Sequence, residues 1–371
     1  MKREDDLGPT SGLELKVLPL GYKGSSCLLR FISVDTGNHI AENKSERRNV
    51  LFEYFRPEDR EYFATLLRPT GVDFNKIRQW LSSCESTDYR SCNPIRTESS
   101  MTHLNLMVMD CVGKRMILLP TGDIRYSTLS YVWGESQPSC HLDLGSEIDI
   151  HALERTTRDA ITVSLELGLR YLWVDRYCTS QSNPTERHLQ LHHMGEIYSN
   201  SFITIIACAG RDAETGLPGV GTTSRNNNLS VLAETWSLQS VVPQPTVEIT
   251  DSAWFTRGWT FQEGMLARRR LIFSQSSVYF QCAIGHKQEQ VRKILDTERA
   301  TRRIELLPAM MDKSVFPRYG SGQQARDILP LISQYWARRF TYETDALDAF
   351  RGILSTYMVF KGLAGHVQGL P

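Results

Sequence analysis

The stretch from Tyr171 to Gly210, YLWVDRYCTSQSNPTERHLQLHHMGEIYSNSFITIIACAG, allows few folds. Tyr171 to Asp175 is a short apolar run closed by a carboxylate. The segment Arg176–Ser182 is polar and reads as a loop. Asn183 has the features of an N-cap, with Pro184 at the first helical position and Glu186 at the third, as in a capping box. Leu191, Met194, Ile197 and Tyr198 recur at helical spacing and predict a helix over 184–199. Phe202–Ala209 is rich in β-branched residues and ends at Gly210, which predicts a buried strand. A strand, helix and strand of these lengths call for a parallel sheet, and their apolar residues need partners from elsewhere in the chain.

Those partners are found on both sides. Ser127–Gly134, STLSYVWG, reads as a strand that stops at Trp133-Gly134. Leu153 to Leu167 carries a helical repeat with Gly168 as its C′ residue, so helices 152–167 and 184–199 are the expected crossovers. Strands are expected near 128–133, 171–175 and 202–208. Leu104–Asp110 and Arg115–Pro120 are candidate strands joined by Val112-Gly113-Lys114. Cys140–Leu144 and Glu147–Ile150 read as a hairpin turning at Gly145-Ser146. Residues 211–245 are loop-like, with a short strand at Val247–Thr250. Thr256–Ala267 is helical in pattern, and Arg269–Ser274 with Val278–Cys282 reads as a closing strand pair. Near the N-terminus, Leu13–Leu20 and Cys27–Val34 are candidate strands, and Pro57–Leu67 and Phe74–Leu81 candidate helices. The fold class is therefore α/β: a parallel central sheet with flanking helices, a β-rich N-terminal part and a helical C-terminal part. The expected organisation is an extension over 1–100, the α/β domain over 101–285 and a mainly helical region over 286–371.

Composition narrows the function classes. The 371 residues carry 42 basic and 42 acidic side chains, so net charge gives no reason to expect a nucleic-acid partner. There is no apolar run long enough for a membrane span, and the start, MKREDDLGPTSG, lacks the apolar segment of a secretion signal. The eight cysteines, at 27, 84, 92, 111, 140, 178, 208 and 282, form no CxxC pair. Together these features predict free thiols in a reducing, cytoplasmic setting. Cys84 and Cys92 have no His between them and read as unpaired thiols rather than a metal site. No metal or resident cofactor is expected.

Three blocks in order resemble the heterokaryon-incompatibility domain of filamentous fungi. They are Leu129-Ser130-Tyr131-Val132-Trp133-Gly134; Leu172-Trp173-Val174-Asp175 with Cys178, Gln181, Glu186, Met194, Ile197 and Tyr198; and Arg257-Gly258-Trp259-Thr260-Phe261-Gln262-Glu263. The likeness runs over about residues 126–282, with flanking likeness in WLSSC near 80 and WARRFTYETDALDAFRGI near 336. The sequence departs from the family at Thr179-Ser180, where Ile-Asn is usual, and at Ser182 and Asn183, where acidic residues are frequent. The His expected between Cys84 and Cys92 is also missing. The resemblance implies a cytosolic effector of nonself recognition and cell death, with other incompatibility or signalling proteins, or its own copies, as partners. It also implies a fold distantly like the Toll/interleukin-receptor domain, some members of which cleave NAD. That makes NAD a candidate substrate. A non-catalytic scaffold is the remaining alternative, and GxGxxG and GxxxxGK[ST] phosphate loops are both missing from the sequence.

Asp175 and the segment to Gln181 are expected to form one wall of a ligand cleft facing Trp133 and Gly134, since both follow parallel strands and emerge on one edge. Asp175 could equally serve only its own loop backbone, and Trp133-Gly134 only local packing. Trp259 and Glu263 stand four apart on one helix and share a face. An indole beside a carboxyl lowers local polarity, and a carboxylate can stabilise the cation that forms when a glycosidic C–N bond breaks. The spacing resembles the Trp-to-Glu stretch of Toll/interleukin-receptor NADases, which makes Glu263 the candidate catalytic residue. The alternative is an ion pair of Glu263 with Arg257 or an arginine of 268–270. Cys178 reads as packing and Glu186 as a cap. His188, His192 and Glu196 read as a solvated helix face rather than zinc ligands, and Arg268-Arg269-Arg270 as a solvated edge.

Overall fold

The computed structural model describes residues 12–19, 27–34, 50–55, 67–68, 70–86, 92, 105–135, 142–179, 189–226, 230–232, 236–241, 245–283, 285–290, 314–316, 328–340 and 342–359. The chain divides into two compact units. One comprises Met1–Leu67, Asn227–Pro245 and Gln290–Lys313; the other comprises Arg68–Asn226, Thr246–Glu289 and Ser314–Pro371.

With strands numbered in chain order, the first unit holds β1 (Gly12–Pro19), β2 (Cys27–Val34), β3 (Val50–Phe55), β9 (Ser230–Leu232) and β10 (Ser237–Val241). They form an antiparallel sheet in the order β1-β2-β3-β10-β9. The two N-terminal strands match expectation. The reading of 211–245 as loop fails over β9 and β10. These Ser-rich strands carry little pattern of their own: β10 is defined by its register with β3, Leu238 opposite Tyr54 and Ser240 opposite Phe52, and β9 by pairing with β10. The candidate helix Pro57–Leu67 lies outside the described residues except at its last position.

The second unit is built on β4 (Met107–Asp110), β5 (Arg115–Leu118), β6 (Tyr126–Ser130), β7 (Tyr171–Val174), β8 (Ile203–Ala207), β11 (Arg269–Phe273), β12 (Val278–Cys282) and β13 (His286–Gln288). The sheet order is β13-β12-β11-β8-β6-β7-β4-β5. Its four central strands, β11, β8, β6 and β7, are parallel, and both flanks are antiparallel. The sheet is thus mixed: the expected parallel trio is present, and β11 extends it alongside β8. The continuous burial of β6, β8 and β11 follows from cover on both faces. Polar side chains inside it pair with one another: Thr128 meets Thr204 at 2.9 Å across β6 and β8, and Ser127 meets Ser164 at 2.7 Å.

The helices are α1 (Phe74–Glu85), α2 (Arg155–Glu166), α3 (Asp175–Cys178), α4 (Met194–Asn200), α5 (Pro245–Thr250), α6 (Gly258–Leu266), α7 (Ile328–Trp336) and α8 (Asp348–Val359). Alternation along the strands sends side chains into two cores. Ile203, Ile205, Leu271, Phe273 and Phe280 pack with Ile77 and Trp80 of α1 and Ile197 of α4. Ile206, Ile272 and Tyr279 pack on the other side with Phe261, Leu331, Phe350 and Ile353 of α6, α7 and α8. Gly168, at φ +75°, ends α2 as expected, with the Leu169 amide donating to the Ser164 carbonyl at 2.8 Å.

Several local expectations are corrected. The polar loop Arg176–Ser182 begins as α3, with Arg176, Tyr177 and Cys178 buried, because its polar groups are spent internally. Val247–Thr250 is helical, in α5: Pro245 opens the helix, and its two apolar residues part, with Ile249 fully buried and Val247 47% exposed. The second arm of the supposed hairpin bonds to β5 instead of closing on 142–144. Glu147 bridges Arg115, and the Met116 amide donates to the Ser146 carbonyl at 2.9 Å. The helix expected over 184–199 is described from 189, with a turn at His193. The arginine run is not a solvated edge. β11 lies between β8 and β12, and Arg269 and Arg270 are each 3% exposed. Arg270 donates to the carbonyls of Gly264 and Met265 at the end of α6, where a cation meets the negative end of the helix.

Candidate functional site

The register of the parallel strands fixes the site. Leu129 of β6 is level with Val174 of β7, so the chain exits after Ser130 and after Val174 lie side by side. The first exit runs through Trp133 and Gly134; the second opens α3 at Asp175. The two meet directly. The Trp133 indole N–H donates to Asp175 Oδ1 at 3.2 Å, and the Arg176 amide donates to the same oxygen at 2.7 Å. The Arg176 guanidinium lies 5.6 Å from the centroid of the Trp133 ring. Arg176 in turn pairs with buried Glu154 at 3.4 Å, and the Tyr177 hydroxyl donates to Glu154 as well. Gly134 is exposed and has φ +75°, and a Cβ there would stand 2.7 Å from the Cβ of Asp212, so the turn after Trp133 requires glycine.

Glu263 comes to this edge on α6. It is 4% exposed and sits beside the hydroxyls of Ser130 and Tyr198. Ser130 is held by the Trp254 indole N–H at 2.7 Å, and the Tyr198 hydroxyl donates to the Leu129 carbonyl at 3.0 Å. Burial, then the charge of Asp175, pushes the Glu263 carboxyl up to about 8, against the pull of Ser130, Arg257 and Tyr198. Burial pushes Asp175 up to about 6, opposed by the Arg176 amide, Trp133 and the charges of Arg257 and Arg176. Two buried carboxyl groups are thus near enough for the charge of Asp175 to raise Glu263, and they titrate as a pair. Arg257, half-buried at the N-cap of α6, is the cation whose field reaches both.

Trp259 is half-buried one turn before Glu263, and its indole N–H donates to Asp345 Oδ2 at 3.2 Å. Gln181, Glu186 and His188 lie outside the described residues. Cys178 is buried, accepts the Val174 amide at 3.3 Å and is pushed up to about 12 by burial, so it packs rather than attacks. His192 Nδ1 lies 2.7 Å from an Arg351 nitrogen, and His193 pairs with Glu196 at 3.4 Å. Among the described residues these side chains do not gather as a metal site. A concavity of about 410 Å³ opens at the other end of the parallel strands, where Tyr171 and Phe202 begin β7 and precede β8. Arg78, Glu85, Arg125 and Arg170 line it.

The sequence blocks contain Ser130 and Tyr198 without assigning them a role at the site, and they offer Arg257 only as an ion-pair partner for Glu263. The cue was available in Ser130, a polar residue at the last position of a buried strand. Arg257 is positioned from far along the chain: the Gly258 amide donates to the Arg339 carbonyl at 3.0 Å, the Arg339 amide to the Thr256 carbonyl at 2.7 Å, and Arg338 to the Arg257 carbonyl at 3.2 Å. Gly258 is needed for this approach, because a Cβ there would stand 1.9 Å from the Phe340 ring. Gly258→Ala is expected to lower stability by about 1–3 kcal/mol as Phe340 is forced out. Urea unfolding checks this, and a loss below about 0.5 kcal/mol would mean that the ring yields freely.

Residues 126–263 match the family model described as Heterokaryon incompatibility protein (HET). No match to the chain is found among curated proteins or among solved structures. The matched segment begins at the first residue of β6, takes in the Trp133–Asp175 contact and ends at Glu263. This chain therefore carries a heterokaryon-incompatibility domain over residues 126–263.

Proposed function

We propose that this domain is the effector of a nonself-recognition, cell-death signalling protein, and that its chemistry is cleavage of the N-glycosidic bond of NAD, with Glu263 as the catalytic carboxyl and Asp175 as its partner. One observation carries the reading: two interacting, enclosed carboxyl groups, near 6 and near 8, at the carboxyl end of a parallel sheet. Around neutral pH such a pair holds one proton and one negative charge. Cleavage breaks the bond between ribose C1′ and the pyridinium nitrogen. The bonding electrons go to that nitrogen, so nicotinamide leaves neutral and needs no proton. The cation left on the ribose faces the negative charge of the pair. Water adds its oxygen to C1′ and gives up a proton to the carboxylate, leaving ADP-ribose. Trp133, Gly134, Gln181 and Trp259 would complete the cleft wall, the indoles by stacking. A distant likeness to Toll/interleukin-receptor domains fits this chemistry. Self-association, or contact with another incompatibility protein, would switch it on.

A scaffold reading has its own support. Asp175 already receives the Trp133 indole and the Arg176 amide, Glu263 has two hydroxyls beside it, and the Trp259 indole is committed to Asp345. That is also how a purely structural polar lock is built. Nicotinamide release by the purified, concentrated full chain separates the two. Release that falls at least about a hundredfold in Glu263→Gln and Glu263→Ala supports the catalytic role, by the scale of removing a catalytic carboxyl. Release that is equal in parent and variants eliminates Glu263. No release from the parent at any concentration leaves the scaffold. In a filamentous fungus, overexpression is expected to arrest growth, and normal growth at confirmed high protein level would count against the effector reading.

A further inference from the structure

We propose that Cys84, Cys92 and Cys282 bind a zinc ion that fastens the end of α1 to the end of β12. The three sulfurs lie within 4.8 Å of one another, and all three residues are buried. Cys84 is in the last turn of α1, Cys92 follows that helix in sequence, and Cys282 is the final residue of β12. The helix and strand are already packed here, with the Trp80 and Phe280 rings 6.2 Å apart. Tetrahedral zinc thiolates have Zn–S distances of about 2.3 Å, which sets neighbouring sulfurs about 3.8 Å apart. The cluster is thus near the geometry that a bound cation would draw it into.

Charge supports the assignment. Three thiolates and Zn²⁺ sum to one negative charge, which is costly in a buried place without a counter-charge. Arg269, 3% exposed, supplies it: its Nε–H donates to Cys84 Sγ at 3.3 Å. The Ala283 amide is directed at the Cys92 sulfur. N–H donors aimed at sulfur are the partners that orient a metal-bound thiolate and share its charge. None of the three cysteines is in a disulfide, and an odd number of sulfurs cannot pair off completely as disulfides. Among the described residues no His, Asp or Glu joins the group, so a small exogenous ligand would complete the tetrahedron. The sequence separates Cys282 widely from the other two, and only the fold brings it to them.

The test uses the full chain, expressed with zinc in the medium and purified under reducing conditions. Elemental analysis is expected to find about one zinc per chain, and chelation to lower the melting temperature. Cobalt added to the stripped protein is expected to give sulfur-to-cobalt charge-transfer bands and the visible bands of a tetrahedral site. Cys84→Ser, Cys92→Ser and Cys282→Ser should each lose at least tenfold in bound zinc, while Cys208→Ser, buried in the other core, should keep it. If a serine variant fails to fold, the cobalt spectrum of the parent still decides. Less than about a tenth of an equivalent of zinc in the parent, with no cobalt bands from the reduced protein, overturns the proposal. So does zinc that persists in all three variants.

Discussion

Glu263→Gln is expected to make the protein more stable above pH 8 and to flatten the loss of stability that the parent suffers between pH 5 and 9. The sign follows from the direction of the shift. A carboxyl raised from 4.5 to about 8 in the folded chain is protonated there while its unfolded counterpart is ionised. Over that interval the folded state binds the extra proton, so stability falls as pH rises. The contribution is fully present below about pH 4.5 and is lost through about pH 8. Asp175 adds a smaller fall of the same sign, ending near pH 6. The size at pH 9 is of order a few kcal/mol, because burial is the leading cause of the shift. Gln keeps the shape, stays neutral, and can use the Ser130 and Tyr198 oxygens as acceptors. Thermal unfolding of both proteins from pH 4 to 9 measures the difference. Parallel curves would mean that Glu263 is ionised in the folded protein at neutral pH, and the one-proton carboxyl pair would have to be abandoned. Asp175→Asn gives an internal check: with that charge gone, the fall attributed to Glu263 should move to lower pH.

The elements that formed this site were legible where local pattern and tertiary role agree. STLS, YLWV and ITIIA are short, β-rich and bounded by turn residues, and all three became neighbouring parallel strands. The end of α2 was marked by Gly168, and the turn at Gly134 by a glycine that its backbone angle and the approach of Asp212 require. What stayed hidden depends on distant partners. β10 is a strand because β3 is beside it, and β9 because β10 is. Arg269 and Arg270 look like a surface charge run until β11 is known to be flanked on both sides. Ser130, Tyr198 and the Arg257–Glu263 stretch come from three segments, and no spacing rule joins them. The same holds for Cys282 beside Cys84 and Cys92: the pair read as unpaired thiols from sequence becomes a trio only in three dimensions. Asp175 was legible for a different reason. The rule that parallel strands present ligand groups at their carboxyl ends needs only the strand assignment, and Trp133 and Asp175 do meet on that edge.

Glu289→Ala is expected to cost about 3–5 kcal/mol, because it strands a buried guanidinium. Glu289 follows β13 and is 3% exposed. Its Oε2 lies 2.8 Å from Arg225 Nη1, whose own side chain is 1% exposed, and it also accepts the Val278 amide at 3.3 Å. Its Oε1 accepts the Asp73 amide at 3.2 Å, at the N-cap of α1. One carboxylate therefore joins the start of α1, the start of β12 and the loop carrying Arg225. That loop is shaped for the cation: Gly219 has φ +89°, and a Cβ there would stand 2.2 Å from Arg225 Nη2. Truncation to alanine leaves Arg225 without this carboxylate and two amides without their acceptor. Glu289→Gln keeps acceptor oxygen for an amide and loses the charge, so its cost should be intermediate. Arg225→Met combined with Glu289→Leu removes both charges at once and should cost less than Glu289→Ala alone, since the desolvation penalty disappears with the pair. Urea unfolding of the three proteins orders these costs. A loss below about 1 kcal/mol for Glu289→Ala, or a double replacement worse than the single truncation, would show that the pair is not the tie between these three segments.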